Sequence, residues 1–181
     1  METRNLLELF RQISITKVEK GEILLREGDT QKDVYFIKKG LVRSYVTNDK
    51  AEEITFQLYP EYHVFGNVHK IFFDEPSHFT HQSLEPTKVY MVEYDSYFSE
   101  ALKNPNLIDL YRRYLSKRVM QQAFQRVESF VFLSPEERYH KYVREFPNVI
   151  NRAPDKYIAH VLGSTPVSLS RIRSRIATAK R

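Results

Sequence analysis

The chain has 181 residues, 41% of them hydrophobic and 28% charged, with 12 Tyr, 12 Phe and no Trp. That length supports one large domain or two small ones with real cores, and no run approaches the roughly 18 consecutive apolar residues of a membrane span. The net charge is +5 and there is no cysteine, which excludes disulfides, cysteine nucleophiles and cysteine-held iron–sulfur or zinc sites.

Residues 2–13 read as a short amphipathic helix, with Leu6, Leu7, Phe10 and Ile13 at helical spacing. A terminus charged from its second residue does not resemble a signal peptide, so the expected compartment is the cytoplasm. From Ile15 to about Val92 the texture changes to short β-type runs: ILLRE, VYFIKKG, LVRSYV, EITFQLY and KVYMVEY. Alternation puts Val34 and Phe36 on one side of a strand and Tyr35 and Ile37 on the other. Turn signals at Glu27-Gly28-Asp29, Lys39-Gly40, Asn48-Asp49-Lys50 and Tyr59-Pro60-Glu61 divide the runs at the spacing of an all-β roll or sandwich.

Past Tyr94 the period becomes helical. Asn104-Pro105 is the expected start of a helix whose apolar stripe runs through Ile108, Tyr111, Leu115, Val119, Ala123, Val127 and Phe130. Such a stripe packs either on the chain's own β-region or on a second copy of itself, and its length favours the second copy. Ser134-Pro135-Glu136-Glu137 is a capping box with proline at the first helical position, so it ends one helix and opens another. A third helical region begins near Pro154.

The most specific segment is YIAHVLGSTPVSLSRIR, residues 157–173. A helix-turn-helix needs a small residue where its helices cross (Ala159) and a left-handed-tolerant residue in the turn (Gly163). It also needs buried apolar positions, supplied by Ile158, Leu162, Leu169 and Ile172. Thr165 is placed to cap the second helix and Pro166 to open it. An unrelated helical hairpin is the competing reading. With Leu169, Ile172 and Ile176 inward, Pro166, Val167, Ser170, Arg171 and Ser174 face outward. In a recognition helix, Arg171 suits the paired acceptors of guanine, with Val167, Ser170 and Ser174 as further base contacts. Thr165, Ser168, Arg173 and Arg175 are expected at phosphates, where they set register. The alternative for each arginine is a solvated surface charge. Charge distribution bears on the choice: residues 1–111 carry 13 Lys/Arg against 18 Asp/Glu, and residues 112–181 carry 15 against 5. The basic back half, not the acidic front, is the part suited to a polyanion.

GEILLREGD at 21–29, VYFIKKGLVRSY at 34–45, Phe65-Gly66 and LGSTPVSLSRIR at 162–173 together resemble the Crp/Fnr family of bacterial transcription regulators, over essentially the whole chain. All five glycines, Gly21, Gly28, Gly40, Gly66 and Gly163, fall where that family uses glycine. The resemblance implies an α+β chain: a cyclic-nucleotide-binding-like β-roll (residues 1–104), a dimerisation helix (105–131) and a helix-turn-helix domain (134–181). It further implies a homodimer on double-stranded DNA, reading two half-sites about one helical turn apart, with RNA polymerase a candidate further partner.

The departures are informative. Cyclic-nucleotide binders of the family follow Gly-Glu, about ten residues on, with Arg-Ser or Arg-Thr, and the arginine pairs with the cyclic phosphate. Here Asn67 follows Gly66, and the later stretch, Pro76-Ser77-His78-Phe79-Thr80, has no arginine. A buried phosphate without its guanidinium is costly, so cyclic AMP is not the expected effector. Phe65, Gly66, Asn67, Ser77, His78 and Thr80 remain the candidate pocket for another small molecule. His63, His69, His78 and His81 could in principle ligate a metal, but ordinary roll histidines are the expectation, and no cofactor is assigned. The sequence ends just past the recognition helix, so no wing hairpin is expected after it, and Arg173, Arg175, Lys180 and Arg181 could contact phosphates in its place. No nucleophile–base pair or phosphate-binding glycine loop occurs, so no catalytic residue is named and no enzyme is expected. The alternative is a ligand- or protein-binding module whose helix-turn-helix no longer reads DNA.

Overall fold

The structure, a computed structural model, describes residues 14–103 and 117–179. The helix expected over 2–13, the stripe positions Ile108, Tyr111 and Leu115, the side chain of Val119, and the tail residues Lys180 and Arg181 lie outside the described residues.

Among the described residues eight strands form the N-terminal part: β1 (Ser14–Val18), β2 (Ile23–Leu25), β3 (Asp33–Lys39), β4 (Val42–Thr47), β5 (Glu53–Tyr59), β6 (Val64–Gly66), β7 (Thr80–Ser83) and β8 (Thr87–Glu93). They make two antiparallel sheets of four, ordered β1-β8-β3-β6 and β2-β7-β4-β5. The period-2 pattern decides which side chains enter between the sheets. In β3, Tyr35 and Ile37 are buried while Val34 and Phe36 are half-buried, as the alternation requires. Val18, Tyr35, Ile37, Val42, Phe65 and Val89 form the roll's core. Each such side chain contributes about 1.5–3 kcal/mol by leaving water. A short helix, α1 (Val68–Phe73), interrupts the roll before β7, and α2 (Tyr94–Leu102) follows β8.

The remaining helices among the described residues are α3 (Lys117–Phe132), α4 (Pro135–Glu145), α5 (Asp155–Val161) and α6 (Pro166–Ala179). Ser134 opens α4 with the expected reciprocal cap: its hydroxyl accepts from the Glu137 N–H, and the Glu137 carboxylate accepts from the Ser134 N–H at 2.8 Å. Tyr139, Tyr142, Val149, Ile158, Ala159, Leu162, Leu169 and Ile172 form a second core, and Leu41 and Leu58 of the roll belong to it.

The helical unit is therefore seated on the outside of the β2-β7-β4-β5 sheet. Arg43, only 2% exposed, lies between the rings of Tyr45 and Tyr157, 4.1 and 4.3 Å from their centres. The Thr55 N–H donates to His160 Nδ1 at 3.2 Å. Arg152 reaches both Glu61 and Glu85. None of this docking follows from periodicity.

Candidate nucleic-acid interface

Helices α5 and α6 are joined by four residues, Leu162–Thr165. The turn is tight enough that the Gly163 N–H donates to His160 O at 2.9 Å and the Ser164 N–H to Ala159 O at 2.8 Å. Gly163 has φ +61, and a Cβ there would run into the Phe130 ring, so both backbone and packing demand glycine. Ile158, Ala159 and Leu169 are completely buried, with Leu162 and Ile172 nearly so. A residue that sequence reading missed holds the turn from behind. Arg138 donates from Nε to Leu162 O at 2.9 Å and from Nη1 to Leu133 O at 2.6 Å, while its guanidinium lies over Phe130.

At the start of α6, the Thr165 hydroxyl accepts from the Ser168 N–H and donates to the Ser168 hydroxyl, both at 3.1 Å. Pro166 occupies the first helical position. With Leu169 and Ile172 turned inward, Val167, Ser168, Ser170, Arg171, Ser174 and Arg175 are exposed. Ser168, Ser170, Arg171, Ser174 and Arg175 form one wall of an open cleft whose other wall is Ser134, Pro135 and Glu136. Arg171 has no ion pair among the described residues. Arg175 pairs with Glu136 at 2.9 Å on the surface. Arg173 is more firmly held: it donates to Asp155 Oδ1 at 2.6 Å and to the Tyr139 hydroxyl at 3.2 Å. Burial works against its charge, but these two partners outweigh it and raise its pKa. Arg173 thus ties α6 to α4 and α5.

The expected effector residues are placed differently from one another. Asn67 is 1% exposed and fully used. Its amide donates to Asp29 O and Gln31 O at 2.9 and 3.0 Å, and its carbonyl oxygen caps α1 through the Lys70 N–H. A Cβ at Gly66 would lie 2.5 Å from Asp33 O, so the strands approach closely there. Ser77 donates to Phe79 O, and Thr80 accepts from the Glu27 N–H. Phe65 stacks on Tyr35 and on His81. His78 stands outside, stacked on His69 at 3.8 Å. Asn67, Ser77 and Thr80 thus also serve the roll's own scaffolding, while His78 lies exposed. The Glu/Arg pair of a cyclic-nucleotide site does not fit here: Asn67 serves as a cap, and Ser77 to Thr80 supplies no cation.

The stripe of α3 can also be followed. Ala123 and Val127 are exposed, as are Met120, Phe124 and Val131, which the sequence reading did not include. Phe130 departs from the stripe: it turns toward Gly163 and Arg138.

Residues 15–104 match the family model of the cyclic nucleotide-binding domain. The chain is 24% identical to the global nitrogen regulator of Synechococcus elongatus, across 97% of this chain and 87% of the relative. It is 26% identical to the fumarate and nitrate reduction regulatory protein of Yersinia pestis, across 87% and 66%. Among solved structures, FixK2 from Bradyrhizobium japonicum superposes with a TM-score of 0.78 at 19% identity, covering 93% of this chain and 86% of that one. CooA from Carboxydothermus hydrogenoformans, as a double mutant, gives 0.70 at 15% identity, covering 95% and 79%.

The described residues thus combine a β-roll of the cyclic-nucleotide-binding type with a helix-turn-helix, the fold shared with those solved structures. Over nearly its whole length the chain is similar to regulators of the Crp/Fnr type. No helix among the described residues is long and apolar enough to cross a membrane.

Proposed function

We propose that the protein is a sequence-specific, homodimeric DNA-binding regulator, cytoplasmic and without catalytic activity, responding to an effector other than cyclic AMP. The division of labour is a sensing roll over 1–104, a dimerisation helix over 105–131 and a DNA-reading unit over 134–181. One observation carries the reading: α6 buries Leu169 and Ile172 while it exposes Val167, Ser170, Arg171 and Ser174 along a single outward edge. Arg171 reads guanine through its two-pronged guanidinium. Thr165, Ser168 and Arg175 contact phosphates, and Arg173 does so from the position in which Asp155 holds it. The exposed apolar side chains of α3 support pairing with a second copy.

The roll carries the family's fold, but Asn67 and the stretch from Ser77 to Thr80 lack the groups that hold a cyclic phosphate. The effector is accordingly assigned to another chemistry, and RNA polymerase is the partner expected on promoter DNA. Selection from a random duplex pool tests the reading: the expected product is a two-fold symmetric site with half-sites about one helical turn apart. Absence of any preferred duplex at moderate salt overturns it. The second reading, a ligand- or protein-binding module that has ceased to read DNA, draws support from the docking of α5 against β5 through His160 and Thr55. Under that reading, binding to DNA is absent or insensitive to salt.

A further inference from the structure

A small cavity lies where the roll, α3 and the helix-turn-helix unit meet. It is about 100 Å³ and is lined by Gln57 of β5, by Arg126 and Phe130 of α3, by Tyr142 of α4 and, from α5 and its turn, by Val161 and Leu162. That volume is well below the roughly 300 Å³ at which drug-sized pockets begin, and it is several times the share of one water. A nucleotide is too large for it; a compact ion or a few waters are not.

Two unmet demands converge on this cavity. The Arg126 guanidinium lies over the Phe56 and Phe130 rings at 4.5 and 5.1 Å, and its hydrogen bond goes to a neutral acceptor, Gln57 Oε1, at 3.1 Å. No carboxylate pairs with it among the described residues, and burial lowers its pKa. The Tyr142 hydroxyl, on a residue 7% exposed, is buried with no hydrogen-bond partner among the described residues. Burial raises the pKa of that phenol while the nearby Arg126 charge lowers it, so at neutral pH it is a donor without an acceptor. Lys141 and Arg138 add positive charge to the lining, and Glu145, exposed and unpaired among the described residues, is its single carboxylate. A half-buried charge without a counter-ion and an unpaired buried hydroxyl each cost free energy. Water could satisfy the hydroxyl, but only an anion neutralises the guanidinium.

We infer that this cavity is a binding site for a small oxyanion, a carboxylate or phosphate group, which accepts from Arg126 and from the Tyr142 hydroxyl. Its walls come from the roll, α3 and the helix-turn-helix unit, so occupancy holds the docked arrangement of the three together. The site is independent of whether α6 reads DNA, and its test contains no DNA.

The test is calorimetric titration of the full chain with inorganic phosphate and with acetate at constant ionic strength. Wild type is compared with Tyr142→Phe, Arg126→Gln and, as a control outside the cavity, Arg144→Gln. Saturable binding of phosphate or acetate is expected; phosphate alone assigns the phosphate class and acetate alone the carboxylate class. Tyr142→Phe weakens binding by about tenfold, the loss expected for one hydrogen bond to a charged group, Arg126→Gln abolishes it, and Arg144→Gln leaves it unchanged. If Arg126→Gln fails to fold, Tyr142→Phe decides. No saturable binding of either anion, unchanged affinity in Tyr142→Phe, or an equal loss in Arg144→Gln overturns the inference.

Discussion

Arg152 and Glu61 form a two-pronged ion pair across the junction between roll and helical unit: Nη1 donates to Oε2 and Nη2 to Oε1, each at 2.9 Å. The same guanidinium reaches Glu85 at 2.5 and 3.2 Å, and Glu61 also accepts from the Gly40 N–H at 2.9 Å. Burial alone would raise the Glu61 pKa, but Arg152 and the Gly40 amide outweigh it and hold the carboxyl at about 2. The stability this carboxylate supplies is present above its ordinary value of 4.5 and is lost as pH falls toward 2. Arg152→Gln should lower stability by about 1.5–3 kcal/mol, the range for hydrogen bonds to charged groups. It should also raise the Glu61 pKa toward its ordinary value. Thermal unfolding together with carboxyl titration by NMR checks both, and an unchanged melting temperature with an unchanged Glu61 titration refutes the pair's role.

Gly163→Ala tests the helix-turn-helix turn. The left-handed backbone costs about 1–2 kcal/mol for a residue with a Cβ, and the added carbon meets the Phe130 ring as well. In a Phe130→Ala background the steric part disappears and the backbone part stays. The double-mutant cycle should therefore show a smaller cost for Gly163→Ala than in wild type. Equal costs in both backgrounds would mean that Phe130 does not crowd the turn.

The exposed side of α3 gives a third prediction. Met120, Phe124, Val127 and Val131 are 55–67% exposed and recur at helical spacing. Val127→Glu would place a charge in the middle of a paired stripe, so sedimentation should show a shift from dimer to monomer while the circular dichroism of the fold stays the same. A dimer of undiminished stability would place the pairing surface elsewhere.

His81 gives the pH dependence. It is 3% exposed, stacked on Phe65 at 5.0 Å, with Nδ1 lacking a partner among the described residues, and burial lowers its pKa to about 3 from 6.5. Between those values the unfolded chain binds a proton that the folded one refuses, so stability falls as pH falls below 6.5. The slope from this one group is at most about 1.4 kcal/mol per pH unit. His69 and His160, also lowered, contribute in the same direction, and their share cancels between proteins that differ only at position 81. Denaturant unfolding of His81→Phe over that range should give a flatter pH profile than wild type, and superimposable profiles would refute the assignment.

Much of the interface was legible because it rests on local demands. A turn with φ +61 needs glycine, and a helix start needs Thr165 and Pro166. Buried positions spaced at 3.6 residues assign the outer edge of α6 by subtraction. The effector residues were less legible. Phe65, Asn67, Ser77 and Thr80 stand where a ligand would be expected, yet Asn67 looks the same in sequence whether it faces a ligand or caps α1. Only its distances to Asp29, Gln31 and Lys70 distinguish the two. Arg138 and Arg126 carried no signal at all, since an arginine on a helix reads as surface until its partners are known.

The sequence by itself determined the strands, their turns, the capped helices and the two-helix crossing, because each depends on contacts within a few residues or on a fixed period. Tertiary structure alone decided that Leu41 and Leu58 of the roll share a core with Ile158 and Leu169. It also decided that Arg152 spans to Glu61 and Glu85, and that Arg126 and Tyr142 face one cavity. Those partners lie on separate elements, Arg152 being 91 residues from Glu61 and 67 from Glu85, and no local propensity encodes which surfaces meet.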